Sequence, residues 1–288
     1  MTWKRIIWPI WSLVPVVALA IHFGPGQLAM TEARARRAFE QALELEVVAQ
    51  AAQDEAHALH LAWLDARREA VESAEPASAQ RAREAADDAD RAYARASAAW
   101  LDASTQFAEA QDQWKDLDDT QTTLARIARN RTLIRAGEIT SGVRDLEAWL
   151  AEAIDRGDGE TDLARQARTE IASGYYFGAR LMRQAGKPTE EWMTVASLAR
   201  QNFRYLAEGT TGEAREALDD AQKNLELALD LEHASDEVQW KPRPRNSPQK
   251  GNTEGLDGQD GRGKTRRPPR RRGDARGAGG VGDIPPGW

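Results

Sequence analysis

From Ala35 the chain sets small or apolar residues at alternating steps of three and four: Ala35, Ala38, Ala42, Leu45, Ala49, Ala52, Ala56, Leu59, Trp63, Ala66 and Ala70. Five heptads without a slip constrain the fold strongly, because a helix paired along a coiled-coil seam is what such a period suits. Pro76, inside Ser73-Ala-Glu-Pro-Ala-Ser78, interrupts the series. It resumes at Ala82, Ala86, Ala89, Tyr93, Ala96, Trp100, Ala103, Phe107, Ala110, Trp114 and Leu117. A short loop between two such runs predicts antiparallel neighbours, here a helical hairpin over 27–118. Folding about Pro76 puts residues whose numbers sum to about 152 opposite one another. Trp100 then faces Ala52, Trp114 faces Ala38 and Trp63 faces Ala89. Large side chains against small ones fill a narrow seam at native density. An arm of about 40 residues per helix reaches roughly 60 Å. The outer charges, as in Arg67-Arg-Glu69 and along 83–91, read as a solvated surface with i,i+4 pairs.

Beyond the arm, Asp116-Leu-Asp-Asp-Thr-Gln-Thr-Thr123 is rich in helix-capping residues. Shorter helices are predicted at about 121–136, 139–156, 162–185, 189–207 and 212–236, with Gly137, Gly157-Asp-Gly159, Gly186-Lys-Pro188 and Gly209 as stops. Their apolar residues fall on single stripes, among them Ile171, Tyr175, Gly178 and Met182, and Trp192, Val195, Ala199, Phe203 and Leu206. With β-branched residues sparse, the expectation is an all-α chain whose block 119–238 stacks helix pairs as a short α-solenoid.

At the amino terminus, Lys4 and Arg5 precede an uncharged apolar run from Ile6 to Phe23, stopped by Gly24-Pro-Gly26. Eighteen residues rise about 27 Å, close to bilayer thickness. Trp3, Trp8 and Trp11 suit the headgroup level. The run predicts a membrane anchor at 1–26, a single-pass protein, and a bulk lying outside the cytoplasm. Ala18-Leu-Ala20 supports a second reading, a cleaved signal peptide.

Leu133-Ile-Arg-Ala-Gly-Glu-Ile-Thr-Ser-Gly-Val-Arg-Asp-Leu-Glu-Ala-Trp-Leu150 resembles the middle of a tetratricopeptide repeat, with Gly137 at the inter-helix turn, Gly142 at the small-residue position and Leu146 at the next large apolar one. Tyr175 to Pro188, with Trp192 and Ala199 to Leu206, is similar to a second, longer pair. The opening Trp-x-x-Leu-Gly-x-x-Tyr is missing, and the helices exceed the 34-residue period. The layout also resembles membrane-anchored repeat proteins that accompany MoxR-type ATPases and von Willebrand factor A proteins in bacterial aerotolerance clusters. That resemblance implies a scaffold or adaptor that binds partner proteins. The block's surplus of large side chains makes Tyr176, Tyr205, Trp192 and Phe203 candidate protein-binding residues; Trp288, in Ile284-Pro-Pro-Gly-Trp288, is another.

Charge divides the chain. Of 39 basic and 46 acidic residues, 12 basic and 5 acidic lie from Lys241 onward, which leaves 27 against 41 before it. The stretch 239–288 has hardly any large apolar side chains, and 18 of its last 48 residues are Gly or Pro. Without a core to offset ordering entropy, it is expected to be disordered. Arg266-Arg-Pro-Pro-Arg-Arg-Arg272 could meet nucleic acid or anionic lipid, but no aromatic residues interleave its arginines as stacking platforms. Neutralising the acidic body is the competing reading.

Reaction chemistry is hard to find. The chain has no cysteine, which removes disulfides, thiolate metal sites and cysteine nucleophiles. Gly277-Ala-Gly-Gly-Val-Gly282 matches a dinucleotide fingerprint without the strand and helix that make it work. His57 and His60, with Asp54 one turn earlier, form a helical ligand pattern. The facing stretch 91–97 offers no second ligand cluster, so surface histidines are expected. Asn130-Arg-Thr132 is a glycosylation sequon. No cofactor or small-molecule substrate is suggested. The reading is therefore a non-enzymatic scaffold. The alternatives are a coiled-coil adaptor of a transport assembly, or an enzyme whose site lies between helices.

Overall fold

The computed structural model describes residues 14–15, 25–209, 215–233 and 245–257. Seven helices lie wholly among the described residues: α1 (Pro25–Ser73), α2 (Pro76–Trp114), α3 (Asp119–Ala136), α4 (Ile139–Arg156), α5 (Asp162–Gln184), α6 (Thr189–Gly209) and α7 (Arg215–His233). No strand occurs among the described residues, as the alanine-rich, β-branch-poor sequence leads one to expect.

Helices α1 and α2 form the antiparallel arm. Ala35 and Ala38 pack with Ala110 and Trp114, Ala42 with Phe107, Ala49 with Trp100, and Ala56 with Ala92 and Tyr93. The partners' numbers sum to about 149 rather than 152, nearly one helical turn from the predicted register. The turn explains the offset. The chain reverses at Ala74 and Glu75, where Ala74 takes a left-handed φ of 53°. Pro76 already lies in the first turn of α2, where its missing N–H costs nothing. The fold axis thus sits before the proline. Ser78 Oγ ties the turn by donating to Glu75 O at 2.8 Å and meeting Ser73 Oγ at 2.6 Å.

At Trp114 the chain turns back on itself. Asp118 caps α3 by accepting the Gln121 N–H at 3.0 Å. Helix α3 then runs back along α2, with Ala125 beside Ala110, Ala128 beside Phe107 and Ala136 beside Trp100. Only the half of the arm near α3 gains this third helix. Trp63 and Leu59, farther out, are half-buried, whereas Trp100 and Phe107 are fully buried.

Helices α3 to α7 pack as successive antiparallel neighbours around one core that includes Ile134, Ile139, Val143, Leu146, Ile171, Tyr175, Val195 and Phe203. Helix α3 also touches α5, because Gly174 lets the two approach: a Cβ there would overlap Val143 and press on Ile134. The predicted helix boundaries in this block agree with the observed ones to within about three residues.

Two expectations are corrected. Among the described residues no helix is long and apolar enough to cross a membrane. Each long helix carries charge along its length; α1 has Arg34, Arg36, Arg37 and Glu40 within its first sixteen residues. The fold is all-α with no membrane-spanning helix among the described residues, and the single-pass, extracytoplasmic placement is withdrawn. The run 6–23 that suggested it lies, apart from Val14 and Pro15, outside the described residues. The second correction concerns the tail. Residues 245–257 do not stand apart from the helices; they lie against them, with Ser247, Pro248 and Leu256 buried. The basic cluster 266–272, the glycine-rich 277–282 and Trp288 lie outside the described residues.

Candidate functional site

The aromatic candidates do not form a surface. Tyr176, Trp192 and Phe203 are buried in the block's own core. Tyr205 is half-buried: its hydroxyl donates to Glu160, and the Arg168 guanidinium stacks on its ring, 3.9 Å from the centroid. Trp192 is covered by Arg183, 4.8 Å from the ring centroid, while Arg183 also donates to Leu231 O at 2.8 Å and so ties α5 to α7. The surplus of aromatics over one stripe was real. Helices contacting neighbours on two sides absorbed it.

What the fold does bring together lies at the junction of arm and block. Arg131 and Arg135, one turn apart on α3, reach back to Glu46 of α1 at 2.6 and 3.4 Å. Glu170 of α5 joins their field. Burial pushes its carboxyl above the ordinary value, against the pull of Arg131 and Arg135. Arg135 also lies over the Trp100 ring at 5.0 Å. Ser97 Oγ donates to Ala136 O at 2.6 Å, closing α2 on the end of α3. Three helices are thus locked together by charge in a partly dried setting, where losing one partner strands the others.

A second ion pair clamps α3 to α4. Arg126 grips Asp145 with two nitrogens at 2.9 and 2.7 Å, and Asn130 Nδ2 donates to the same carboxylate at 2.5 Å. Burial raises Asp145, but these hydrogen bonds prevail and hold it below the usual carboxylate range. Asn130 and Thr132 are both buried, so the sequon is closed to a glycosyltransferase in the folded chain. Farther along α4, Tyr175 donates to Glu147 at 2.5 Å. Burial raises both groups; the Tyr175 hydrogen bond pulls Glu147 back, and the neighbouring Glu147 carboxylate pushes Tyr175 up further.

Across the junction lies the strap 245–257. Arg245 forks onto the carboxylate of Asp54, and Gln53 Nε2 donates to the carbonyls of Arg245 and Ser247 at 3.2 and 3.0 Å. Gln249 donates to Asp90 of α2. At the α3–α4 turn, Asn252 N donates to Gly137 O at 2.7 Å and Thr140 N donates to Asn252 O at 3.2 Å. Leu256 ends the strap in the core. Between strap and arm remains a cleft of about 220 Å³ lined by Gln53, Asp90, Tyr93, Ser97, Arg135 and Pro248 among others. His60 packs tilted against Trp63 and edge-on to Tyr93, at 5.2 and 6.1 Å between centroids, and Asp54 is engaged by Arg245. The helical ligand pattern is spent on packing and the strap. No cluster fit to hold a metal ion occurs among the described residues.

No protein-family model matches the chain, and no curated protein or solved structure matches it significantly. The geometry has to speak for itself. It points to α1, where the heptad seam accounts for one face and leaves another. At 3.6 residues per turn, Val47, Ala51, Ala58 and Ala62 gather on the side away from the Ala42–Ala49–Ala56 seam, flanked by Leu43, Leu61 and Val48. Val47 is 71% exposed, Val48 58%, Leu43 42% and Leu61 37%. The signal was present: residues 47–53 carry no charge at all. A heptad period marks one seam per helix and is silent on the opposite face. Arg131 and Arg135 were legible as an i,i+4 pair, but Glu46 and Glu170 had no sequence link to them.

Proposed function

We propose that this chain is a non-catalytic adaptor whose arm binds a helix of a partner protein along the outward face of α1. The observation that carries the reading is the exposed row around Leu43, Val47, Val48 and Leu61, lying opposite a seam already filled by α2. A helix apolar on two sides has more surface to bury than its hairpin partner covers. Val47 and Val48 stand exposed on that side, while Asp54 at its edge is taken by Arg245. The stacked helix pairs, with the tetratricopeptide-like stretch at α3–α4, serve in this reading as the rigid base that holds the arm. The charge-locked junction keeps the two parts in a fixed relation.

The test is site-specific photo-crosslinking in cells at Val47 and Val48, with Asp102 on the exposed side of α2 as control. A discrete protein adduct at 47 and 48, absent at 102 and lost on Leu43→Arg with Leu61→Arg, is the expected result. Equal adducts at all three positions would sink the reading. An adduct of two copies of this chain would replace the partner with self-association.

A further inference from the structure

The strap contacts the helices mostly through its main chain. Gln53 takes two of its carbonyls; Thr140 N and Gly137 O exchange bonds with the two sides of Asn252. Thr140 Oγ1 lies 2.9 and 3.2 Å from the carbonyls of Asn252 and Glu254, and Arg144 donates to Gly255 O at 3.1 Å. Any extended peptide could supply those groups. Selectivity resides in a few places. Asp54 takes Arg245. Leu256 enters a slot floored by Gly178, where a Cβ would overlap it. Gly251 passes so close to Gly137 O and Ile139 that a side chain there would be forced aside, and Gly255 holds a φ of 69°. Gly137 serves twice: it ends α3 at a φ of 104°, and its bare Cα leaves room for Lys250 O. Main-chain bonds for grip and pockets for choice are how grooves read extended peptides.

We propose that the groove formed by α1, the α3–α4 turn and α5 is a docking site for an extended segment of a partner protein, with residues 245–257 as its built-in occupant. The segment it accepts follows the strap's chemistry: Gly-Asn-x-x-Gly-Leu preceded by an arginine seven residues before the asparagine. Only Ser247, Pro248 and Leu256 of the strap are buried, so its hold is small enough to be exchanged. Because the strap belongs to the same chain, it competes at an effective concentration of order millimolar, which masks the site until it is displaced. The groove borders the outward face of α1 at Asp54, and its test reads the strap, while Val47 and Val48 report on that face.

The test uses the full chain and a fluorescein-labelled peptide of residues 243–258. Two variants loosen the strap without touching the groove: Leu256→Glu, which rejects the slot, and Asn252→Pro, which removes the N–H given to Gly137 O. Fluorescence anisotropy should show peptide binding at least ~10-fold tighter to each variant than to the wild type. A peptide carrying Leu256→Glu should not bind, and Gly178→Val added to Asn252→Pro should abolish the gain. Should Leu256→Glu unfold the chain, Asn252→Pro decides alone, since Asn252 is exposed. A folded Asn252→Pro chain with no gain in peptide binding, or binding indifferent to Gly178→Val, would reduce the strap to a structural clasp and overturn the proposal. A strap-exchanged dimer of the wild type that ignores free peptide would assign the groove to a second copy and overturn it equally.

Discussion

The arm and the block solve the same packing problem in opposite ways. In the arm, α2 supplies most of the bulk (Tyr93, Trp100, Phe107, Trp114) and α1 mostly alanines, with Phe39 of α1 setting its ring against Phe107 and Trp114 at 5.3 and 5.5 Å. In the block, Tyr175, Tyr176, Phe177, Trp192 and Phe203 from two adjacent helices pool into one core with the aliphatics of α4. The arm therefore spends few large residues and keeps apolar surface on its outside. The block hides its aromatics and shows a polar skin. Large exposed side chains are what the sequence promised for the block; the structure leaves them on the arm.

The sharpest test of this contrast lies within the arm. Trp100→Ala, at a fully buried position backed by α3, should cost about 3–5 kcal/mol in chemical denaturation. Trp63→Ala, half-buried beyond the reach of α3, should cost about 1 kcal/mol. Equal losses would mean that α3 adds nothing and that the arm is uniform along its length.

In the block the contacts are too close for growth. Gly174→Ala should destabilise by about 1–3 kcal/mol, despite alanine's better helix propensity, because Val143 sits where the new methyl would go. A melting temperature equal to or above the wild type would show that α3, α4 and α5 can slide apart, which a pooled core should resist.

The charge clamp is next in size. Asp145→Asn leaves Arg126 facing a neutral amide and should cost about 1–2 kcal/mol near neutral pH. The Asp145 carboxyl is held below its ordinary value, so its share of stability is present above the unfolded-state pKa and lost as pH falls through the folded one. Stability measured from pH 6 downward should therefore decline more steeply in the wild type than in Asp145→Asn. Parallel curves would show that the Arg126 clamp does not tune the acid limb.

The smallest energetic effect gives the cleanest test of geometry. The chain lacks cysteine, so Glu55→Cys with Arg95→Cys can be read without background. These side chains pair at 2.9 Å across the arm, and losing an exposed pair costs under ~1 kcal/mol. A short bifunctional thiol reagent should link them efficiently, whereas Ala58→Cys with Arg95→Cys, displaced by three residues toward the predicted register, should link poorly. The reverse preference would restore the sum of 152.

Local rules were enough for every element of this chain that depends on neighbours in sequence. Heptads announced the arm; Gly137, Gly157 and Gly186, each with positive φ, marked helix ends; Asp118 and Thr161 accepted the capping bonds their residue types favour. Backbone sterics and i,i+3 or i,i+4 spacing act within one turn, so a reader of the sequence meets all the terms involved. Tertiary structure decided what those rules leave degenerate. The seam register turned on whether Pro76 lies within or after the reversal, a choice the two-residue turn at Ala74 and Glu75 settles. Whether Tyr176 faces a partner or a core depended on how many helices surround α5. The strap is the extreme case: a segment too polar to fold by itself finds order because Gln53, Gly137 and Thr140, scattered across the sequence, converge to meet its main chain. No local pattern encodes that convergence, since the hydrogen-bonding groups of a peptide backbone are the same at every residue but proline.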